Sequence, residues 1–181
     1  MTIPLTDRIL REGPSAGALS LEAEGRGGGV GSENVPNAPT PFDARMADFY
    51  ERVDAVVASH SPICRNRGLC CKFAAFGHRL YVTEPERAYF AGGLAPDWRP
   101  VAPDQADCPY HVGGVCTART HRPMGCRVFF CDDAAQEWQG PVYERFLAEL
   151  KQIGVDFGIP YSYREWLSAL RDGPLGAAGP D

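Results

Sequence analysis

Residues 64–71 read CRNRGLCC and residues 108–131 read CPYHVGGVCTARTHRPMGCRVFFC, and these two stretches hold all seven cysteines of the 181-residue chain. Roughly one residue in ten from the first cysteine to the last is Cys, a density typical of a disulfide scaffold or a metal site. The spacing is C-x5-C-C, followed after a long gap by C-x7-C-x9-C-x4-C. The fold of this part of the chain therefore depends on what the sulfur atoms bind.

The N-terminal sequence favours reduced thiols over disulfides. Residues 1–25 contain no basic region followed by an apolar one, so we expect no secretory signal and a cytoplasmic location. Cytosolic thiols are normally kept reduced, and a closed set of disulfides would leave one of the seven cysteines over. We therefore expect a metal-binding cluster, with structural disulfides as the alternative.

Cysteine thiolates are soft, anionic ligands for zinc, iron and iron–sulfur clusters. A tetrahedral zinc ion or a 4Fe–4S cluster takes four of them. Seven suffice for one site with extra ligands or for a polynuclear site, but not for two independent all-cysteine sites. Three histidines of the same window, His78, His111 and His121, could complete a second site. The predicted metal ligands are Cys64, Cys70, Cys71, Cys108, Cys116, Cys126 and Cys131.

Local charge supports thiolates in this window. Residues 64–131 contain nine Arg or Lys and five Asp or Glu, although the whole chain has a formal net charge of −5. Nearby cations lower thiol pKa values and offset the negative charge of a thiolate-bound centre. Arg122 and Arg127 are predicted to contact the bound centre, where an arginine can donate hydrogen bonds to a sulfur or to a loop carbonyl. The alternative is a solvated basic surface.

The adjacent pair Cys70-Cys71 raises a geometric question. Neighbouring side chains of an extended segment point in opposite directions. Both sulfurs reach one centre only if the backbone turns sharply or if the centre holds several metal ions. Gly68, just before the pair, permits such a turn.

The order of these motifs resembles a known family. Over residues 61–131 the pattern is similar to the YkgJ-type cysteine-cluster family, and the resemblance implies a zinc- or iron-chelating domain. The resemblance implies little about catalytic activity, although the same motif is similar to a region of flagellin lysine N-methylases. The matching residues are Cys70-Cys71, Cys108-Pro109-Tyr110, Gly114-Val115-Cys116 and Arg122-Pro123-Met124-Gly125-Cys126-Arg127.

The chain departs from the family pattern at one position. The first cysteine of the family falls at Ser61, and serine is a poor metal ligand. The resemblance therefore implies a site with one thiolate fewer than usual, unless Cys131 compensates.

Apolar periodicity divides the chain into three parts. Residues 1–41 contain no Phe, Trp or Tyr and are rich in Gly and Pro, so we predict a flexible arm. We predict a cysteine-cluster metal-binding domain over residues 42–172 and a flexible tail over residues 173–181. The predicted fold is mostly α, a small helical domain with irregular cysteine-rich loops and a short strand pair around a metal site.

Helix signals flank the cysteine window. Apolar residues repeat at helical spacing from Pro41 to about Ser59. Residues 72–83 look extended, and a capping box of Thr83 with Glu86 starts a helix that stops at Gly92-Gly93. The later cysteines are placed in short loops. Two further helices are predicted, one from Pro141 to Gly154 or Gly158, and one behind a capping box of Ser162 with Glu165.

Composition excludes several functions. No apolar run approaches the ~18 residues that a membrane span needs, and the acidic balance argues against a nucleic-acid partner. The expected function is chelation of zinc or iron, including iron as an iron–sulfur cluster. The alternatives are a redox or methylation/maturation accessory enzyme that uses the centre, or a zinc-stapled module whose helices bind an unidentified protein partner. No catalytic residue is assigned.

Overall fold

A computed structural model describes residues 39–64, 68–94 and 97–173. Most of this part of the chain is helical, as the sequence predicts, and it lies within one compact unit, residues 38–181. None of the described helices is both long enough and apolar enough to span a membrane. The helices are α1 (Pro41–Ser59), α2 (Phe73–Phe76), α3 (Glu84–Leu94), α4 (Met124–Val128), α5 (Gln136–Asp156) and α6 (Trp166–Arg171).

The first helix begins where its sequence predicts. Thr40 is the N-cap of α1: its hydroxyl accepts a hydrogen bond from the Asp43 backbone N–H, and the Asp43 carboxylate accepts one from the Thr40 N–H. This reciprocal pair satisfies two backbone donors that a helix start leaves open. Pro41 follows at the first helical position, where its missing N–H costs nothing.

A first hydrophobic core lies where α1, α4 and α5 meet. The apolar stripe of α1 packs against that of α5, and the Phe49 and Phe146 rings meet edge to face with centroids 5.7 Å apart. Met124 and Val128 of α4 are fully buried in the same cluster. The short helix that carries Cys126 is therefore anchored to the two longest helices.

Two antiparallel strand pairs accompany the helices. Strand β1 (Tyr81–Thr83) pairs with β4 (Tyr163–Glu165), with Val82 opposite Arg164. Strand β2 (His111–Val112) pairs with β3 (Val115–Cys116), with His111 opposite Cys116. The second pair forms a tight hairpin inside the cysteine window.

A second hydrophobic core lies beneath the cysteine window. Phe90 of α3 is its centre: the ring contacts Trp166 and Tyr110 edge to face, with centroids 4.7 and 5.0 Å away. Leu167 and Leu170 of α6 complete its floor. Three cysteines pack against this core from the cavity side, namely Cys108, Cys116 and Cys126.

Several predicted boundaries are wrong. The segment expected to be extended from residue 72 contains the helical turn α2 and becomes a strand only at Tyr81. Helix α3 passes through Gly92-Gly93 to Leu94, and α5 starts at Gln136, which places Pro141 inside the helix. A 3-10 turn over Asp133–Ala135 leads directly into α5 and explains the early start.

The second predicted capping box is also wrong. Ser162 donates a hydrogen bond to Glu84 across the fold, and the strand β4 follows it. Glu165 is itself the N-cap of α6 and accepts a hydrogen bond from the Ser168 N–H.

The predicted arm lies almost wholly outside the described residues. The described residues begin at Pro39, and α1 starts at Pro41, the last residue assigned to the arm. Of the predicted tail, only Gly173 is described.

Candidate metal centre

Six of the seven cysteines line a single cavity of about 420 Å³, which we call the inner cavity. Its wall is completed by the hairpin β2–β3 and by Trp166 and Phe90 of the second core. Sequence positions that are far apart are therefore brought together by the hairpin, α4 and the turn before α2. The six cysteines are Cys64, Cys70, Cys71, Cys108, Cys116 and Cys126.

A sharp turn brings Cys70 and Cys71 to the same cavity. Gly68 has a φ of 65°, a left-handed conformation that glycine adopts at no steric cost, and a 3-10 turn over Leu69–Cys71 follows. The two sulfur atoms lie 3.9 Å apart. Two thiolates on one tetrahedral zinc ion, with Zn–S bonds of about 2.3 Å, would be about 3.8 Å apart. The pair therefore has the spacing that two ligands of one ion require.

Backbone hydrogen bonds hold Cys108 beside this turn. The Cys108 N–H donates to the Cys71 carbonyl oxygen at 3.0 Å, and the two thiols are themselves in hydrogen-bonding contact. The chain then enters the hairpin, which places His111 and Cys116 on opposite strands of the same wall.

Cys126 lies in α4 rather than in a loop, contrary to the prediction, and Cys116 lies in β3. A buried carboxylate fixes the start of α4. Glu86 accepts hydrogen bonds from the backbone N–H of Met124 and from the N–H and hydroxyl of Thr83, each at 2.8 Å. Sequence analysis identified Glu86 as part of a capping box but missed its link to the cysteine-bearing helix.

A second cavity of about 250 Å³, the outer cavity, adjoins the first. It shares Cys64, Cys70 and Cys126 with the inner cavity and adds Cys131. The Ile63 backbone N–H lies 3.4 Å from a carboxylate oxygen of Asp132, which holds the segment before Cys64 next to the segment after Cys131. Every predicted ligand therefore lines one or both cavities.

The two predicted arginines occupy different places. Arg122 lines both cavities. The guanidinium of Arg127 binds the Asp54 carboxylate at 2.5 Å and the carbonyl oxygens of Thr120 and Arg122, and it stacks on Tyr50. Arg127 lines neither thiol cavity, so its geometry fits a role in positioning the loop that carries Arg122. Two further arginines of the cysteine window, Arg65 and Arg67, follow Cys64 in the sequence and lie outside the described residues.

Contacts among the thiols set their protonation. Hydrogen bonding from Cys71 lowers the pKa of Cys70 to about 6 and that of Cys108 to about 7. The same contacts, with Cys108 first, raise the pKa of Cys71. Burial raises the pKa of Cys116 and of Cys126. At neutral pH this arrangement favours thiolates at Cys70 and Cys108, with Cys71 retaining its proton between them.

Two polar atoms at the cavity wall have no hydrogen-bond partner among the described residues. They are the Nε2 of His111 and the Nε of Arg122, and both are buried. A buried polar atom without a partner carries a desolvation cost, which a bound ligand would relieve. The other two histidines differ: His78 contacts the Cys70 carbonyl, and His121 packs against Gly93 and Tyr89.

The sulfurs surround the cavities without closing on a single point. Within residues 39–64, 68–94 and 97–173, no group of three or more Cys, His, Asp or Glu side chains is close enough to hold one metal ion. The donors nevertheless fit a thiolate-bound centre by chemistry and by the spacing of the Cys70-Cys71 pair. Six cysteines of the described chain are thiols: Cys70, Cys71, Cys108, Cys116, Cys126 and Cys131.

Comparison of this chain with protein-family models, with curated proteins and with solved structures finds no match.

Proposed function

We propose that this chain is a metal-binding protein that chelates zinc or iron through its clustered cysteine thiolates, as its resemblance to the YkgJ-type family implies. The observation that carries the proposal is the inner cavity, which six cysteines line. Hydrogen bonding from Cys71 lowers the pKa of Cys70 to about 6 and that of Cys108 to about 7, which increases the fraction of the ligating thiolate form at neutral pH.

The metal is also expected to organise the fold around it. The inner cavity lies against the second core, and its walls are short turns and a hairpin of two-residue strands. Elements of this length are marginal on their own in water. A bound metal would cross-link them, so metal binding should contribute to the free energy of folding.

The position of Cys131 supports a further part of this proposal. Ser61, where the family has its first cysteine, is not among the residues that line the thiol cavities. Cys131 lines the outer cavity beside Cys64, where the contact between Ile63 and Asp132 joins the two segments. We propose that Cys131 supplies the thiolate that serine cannot.

Anaerobic purification followed by metal and sulfide analysis tests the proposal. We expect zinc, iron, or iron with sulfide bound to the full-length chain, and Cys108→Ser should lower the metal content per folded molecule. Val101→Ala is the matched control, because Val101 is buried in the same core but lines neither thiol cavity. Its metal content should stay unchanged. A metal-free wild-type protein that cannot be reconstituted anaerobically would overturn the proposal.

A second function, chemistry on a molecule bound beside the centre, is favoured by a third cavity of about 430 Å³. Its lining is mainly apolar, with Leu69, Phe76 and Phe129, and it shares Cys70, Cys126 and Cys131 with the thiol cavities. Apolar pockets with a few polar groups are the usual sites for small molecules.

An open coordination position distinguishes this second function from pure chelation. If it is correct, imidazole or cyanide added to the cobalt-substituted protein will shift the visible absorption bands. A spectrum that does not change would favour a closed, structural metal.

A further inference from the structure

We infer that the centre has two adjoining metal positions, one in the inner and one in the outer cavity, which share thiolates of the wall between them. This inference rests on the proposed function and specifies how many ions the same cysteines hold. The chemical class of the ligand is a thiophilic divalent cation such as zinc or cadmium.

The two cavities are joined by a common wall. Cys64, Cys70 and Cys126 line both of them. A thiolate has more than one lone pair, so a sulfur in such a wall can bridge two ions. The shared wall places three potential bridging ligands between two adjacent spaces.

Each cavity also has donors of its own. The inner cavity has Cys71, Cys108 and Cys116, together with the unpartnered Nε2 of His111. The outer cavity has Cys131 and the carboxyl groups of two consecutive aspartates, Asp132 and Asp133. Both spaces can therefore supply four ligands, the number that a tetrahedral ion requires.

The spacing of the sulfurs identifies one pair of ligands that already has the geometry of a single ion. Around one tetrahedral ion all thiolates lie about 3.8 Å apart. Cys70 and Cys71 meet this requirement at 3.9 Å, yet the described chain contains no tight group of three donors. The remaining ligands of either ion must therefore move toward the metal when it binds.

The number of cysteines in the chain also fits a centre with two ions. Two four-coordinate ions that share one bridging thiolate use seven sulfur ligands, which is the number in this chain. One ion would leave three thiols without a role as ligands. A second dication also offsets more of the thiolate charge; among the described residues, Arg122 lines both cavities and Arg119 lines the inner one.

The two positions should differ in affinity. Of the two thiol cavities, Cys131 lines only the outer one and is exposed, whereas Cys71, Cys108 and Cys116 line only the inner one and are buried or partly buried. An exposed ligand is less preorganised than ligands packed on a hydrophobic core. The outer ion should therefore bind more weakly and exchange faster.

Metal stoichiometry tests the inference. The full-length reduced protein, stripped of metal and kept anaerobic, is dialysed against zinc, and bound zinc is measured per chain. We expect two zinc ions, one of which is lost in Cys131→Ser. Ser61→Ala is the matched control, because Ser61 is a hydroxyl residue near the same segment that lines neither cavity, and it should retain both ions.

Cadmium-113 NMR tests the bridge. Two resonances with a mutual coupling are expected, because a shared thiolate connects the two nuclei through bonds. Two resonances without coupling would show that no thiolate bridges the two ions and would overturn the proposed sharing of ligands.

The failures of the two proposals are distinguishable. A single zinc ion in the wild type that Cys108→Ser removes would overturn the second position and leave the proposed function intact. A protein that binds iron but no zinc would overturn the two-ion centre and leave the proposed function intact, whereas one that binds neither metal would overturn both. Two zinc ions that Cys131→Ser leaves bound would overturn the assignment of the outer position.

Discussion

At the scale of single residues, Gly68 connects backbone conformation to the site. Its φ of 65° is left-handed, and a Cβ atom added to it would lie 2.1 Å from the Nε2 of His111. The imidazole ring therefore packs directly against the backbone of the turn that presents Cys70 and Cys71. A side chain at this position would both strain the turn and displace the histidine.

Gly68→Ala should lower both stability and metal retention. Gly77→Ala is a matched control, because Gly77 has a φ of 64° and a Cβ added there meets nothing within 4 Å. In both variants an L residue in the left-handed region should lower the free energy of unfolding by about 1–2 kcal/mol. Urea unfolding with metal analysis should show that only Gly68→Ala also loses metal. Equal metal content in the two variants would mean that the contact with His111 has no importance for the site.

Glu86 is the second residue whose local contacts extend to the site. Its carboxylate satisfies three donors, among them the Met124 N–H at the start of the helix that carries Cys126. Glu86→Ala would leave buried donors unpaired, at a cost of about 1–3 kcal/mol for each. We expect a loss of at least about 2 kcal/mol in denaturant unfolding, with faster metal release. Glu144→Ala, at an exposed position of α5, should change neither quantity.

At the scale of elements, an ion-pair cluster links α1 to α5. Glu149 of α5 accepts hydrogen bonds from the guanidinium groups of Arg45 and Arg52, both on α1. Hydrogen bonding from Arg52, followed by that from Arg45, holds the pKa of Glu149 below its usual value. These ion pairs therefore join α1 to α5 at the solvent-exposed edge of the first core.

The pH dependence of stability should report this cluster. Because the folded-state pKa of Glu149 is depressed, its contribution is present above the unfolded pKa of about 4.3 and is lost as pH falls through the folded value. Glu149→Gln should lower stability near neutral pH by up to about 1 kcal/mol, since the pair is partly exposed. Thermal melts from pH 7 to pH 3 should show the wild type and the variant converging at the acidic end. A constant difference would contradict this account.

The elements also reveal what local sequence can and cannot predict. Helix α1 has its cap, its proline and its apolar stripe in consecutive residues, so its boundaries are predictable. The predicted capping box of Ser162 with Glu165 places Glu165 inside a helix, whereas it is the N-cap of α6. Residues 163–165 form β4 instead, because they pair with β1, which lies about 80 positions earlier in the sequence. The cysteines were recognisable as a cluster from composition, but their division between two cavities depends on how α4 and the hairpin pack.

At the scale of the whole molecule, two hydrophobic cores differ in how they are held together. The first is built from the long helices α1 and α5. The second joins α3 and α6 to short turns and to the cysteines. If the proposed metal is bound, it stabilises the second core far more than the first. Loss of the metal should therefore lower the stability of the second core more than that of the first.

The three tryptophans allow this asymmetry to be measured. Trp166 is buried in the second core with Trp98 packed against it, and Trp138 packs against the first core. In the variant Trp138→Phe, fluorescence reports the second core alone, while far-UV circular dichroism is dominated by α1 and α5. Removing the metal with a chelator should shift the fluorescence transition to lower urea concentration than the helical transition, since the cross-link of the second core is lost.

Cys108→Ser is the control for the chelator itself. A variant that has already lost the ion of the inner cavity, which lies against the second core, should show separated transitions before treatment and little further change after it. If the metal-free wild type instead unfolds in one transition that both probes follow together, the two cores form a single cooperative unit. The metal would then stabilise the whole molecule equally, rather than the part that contains its ligands.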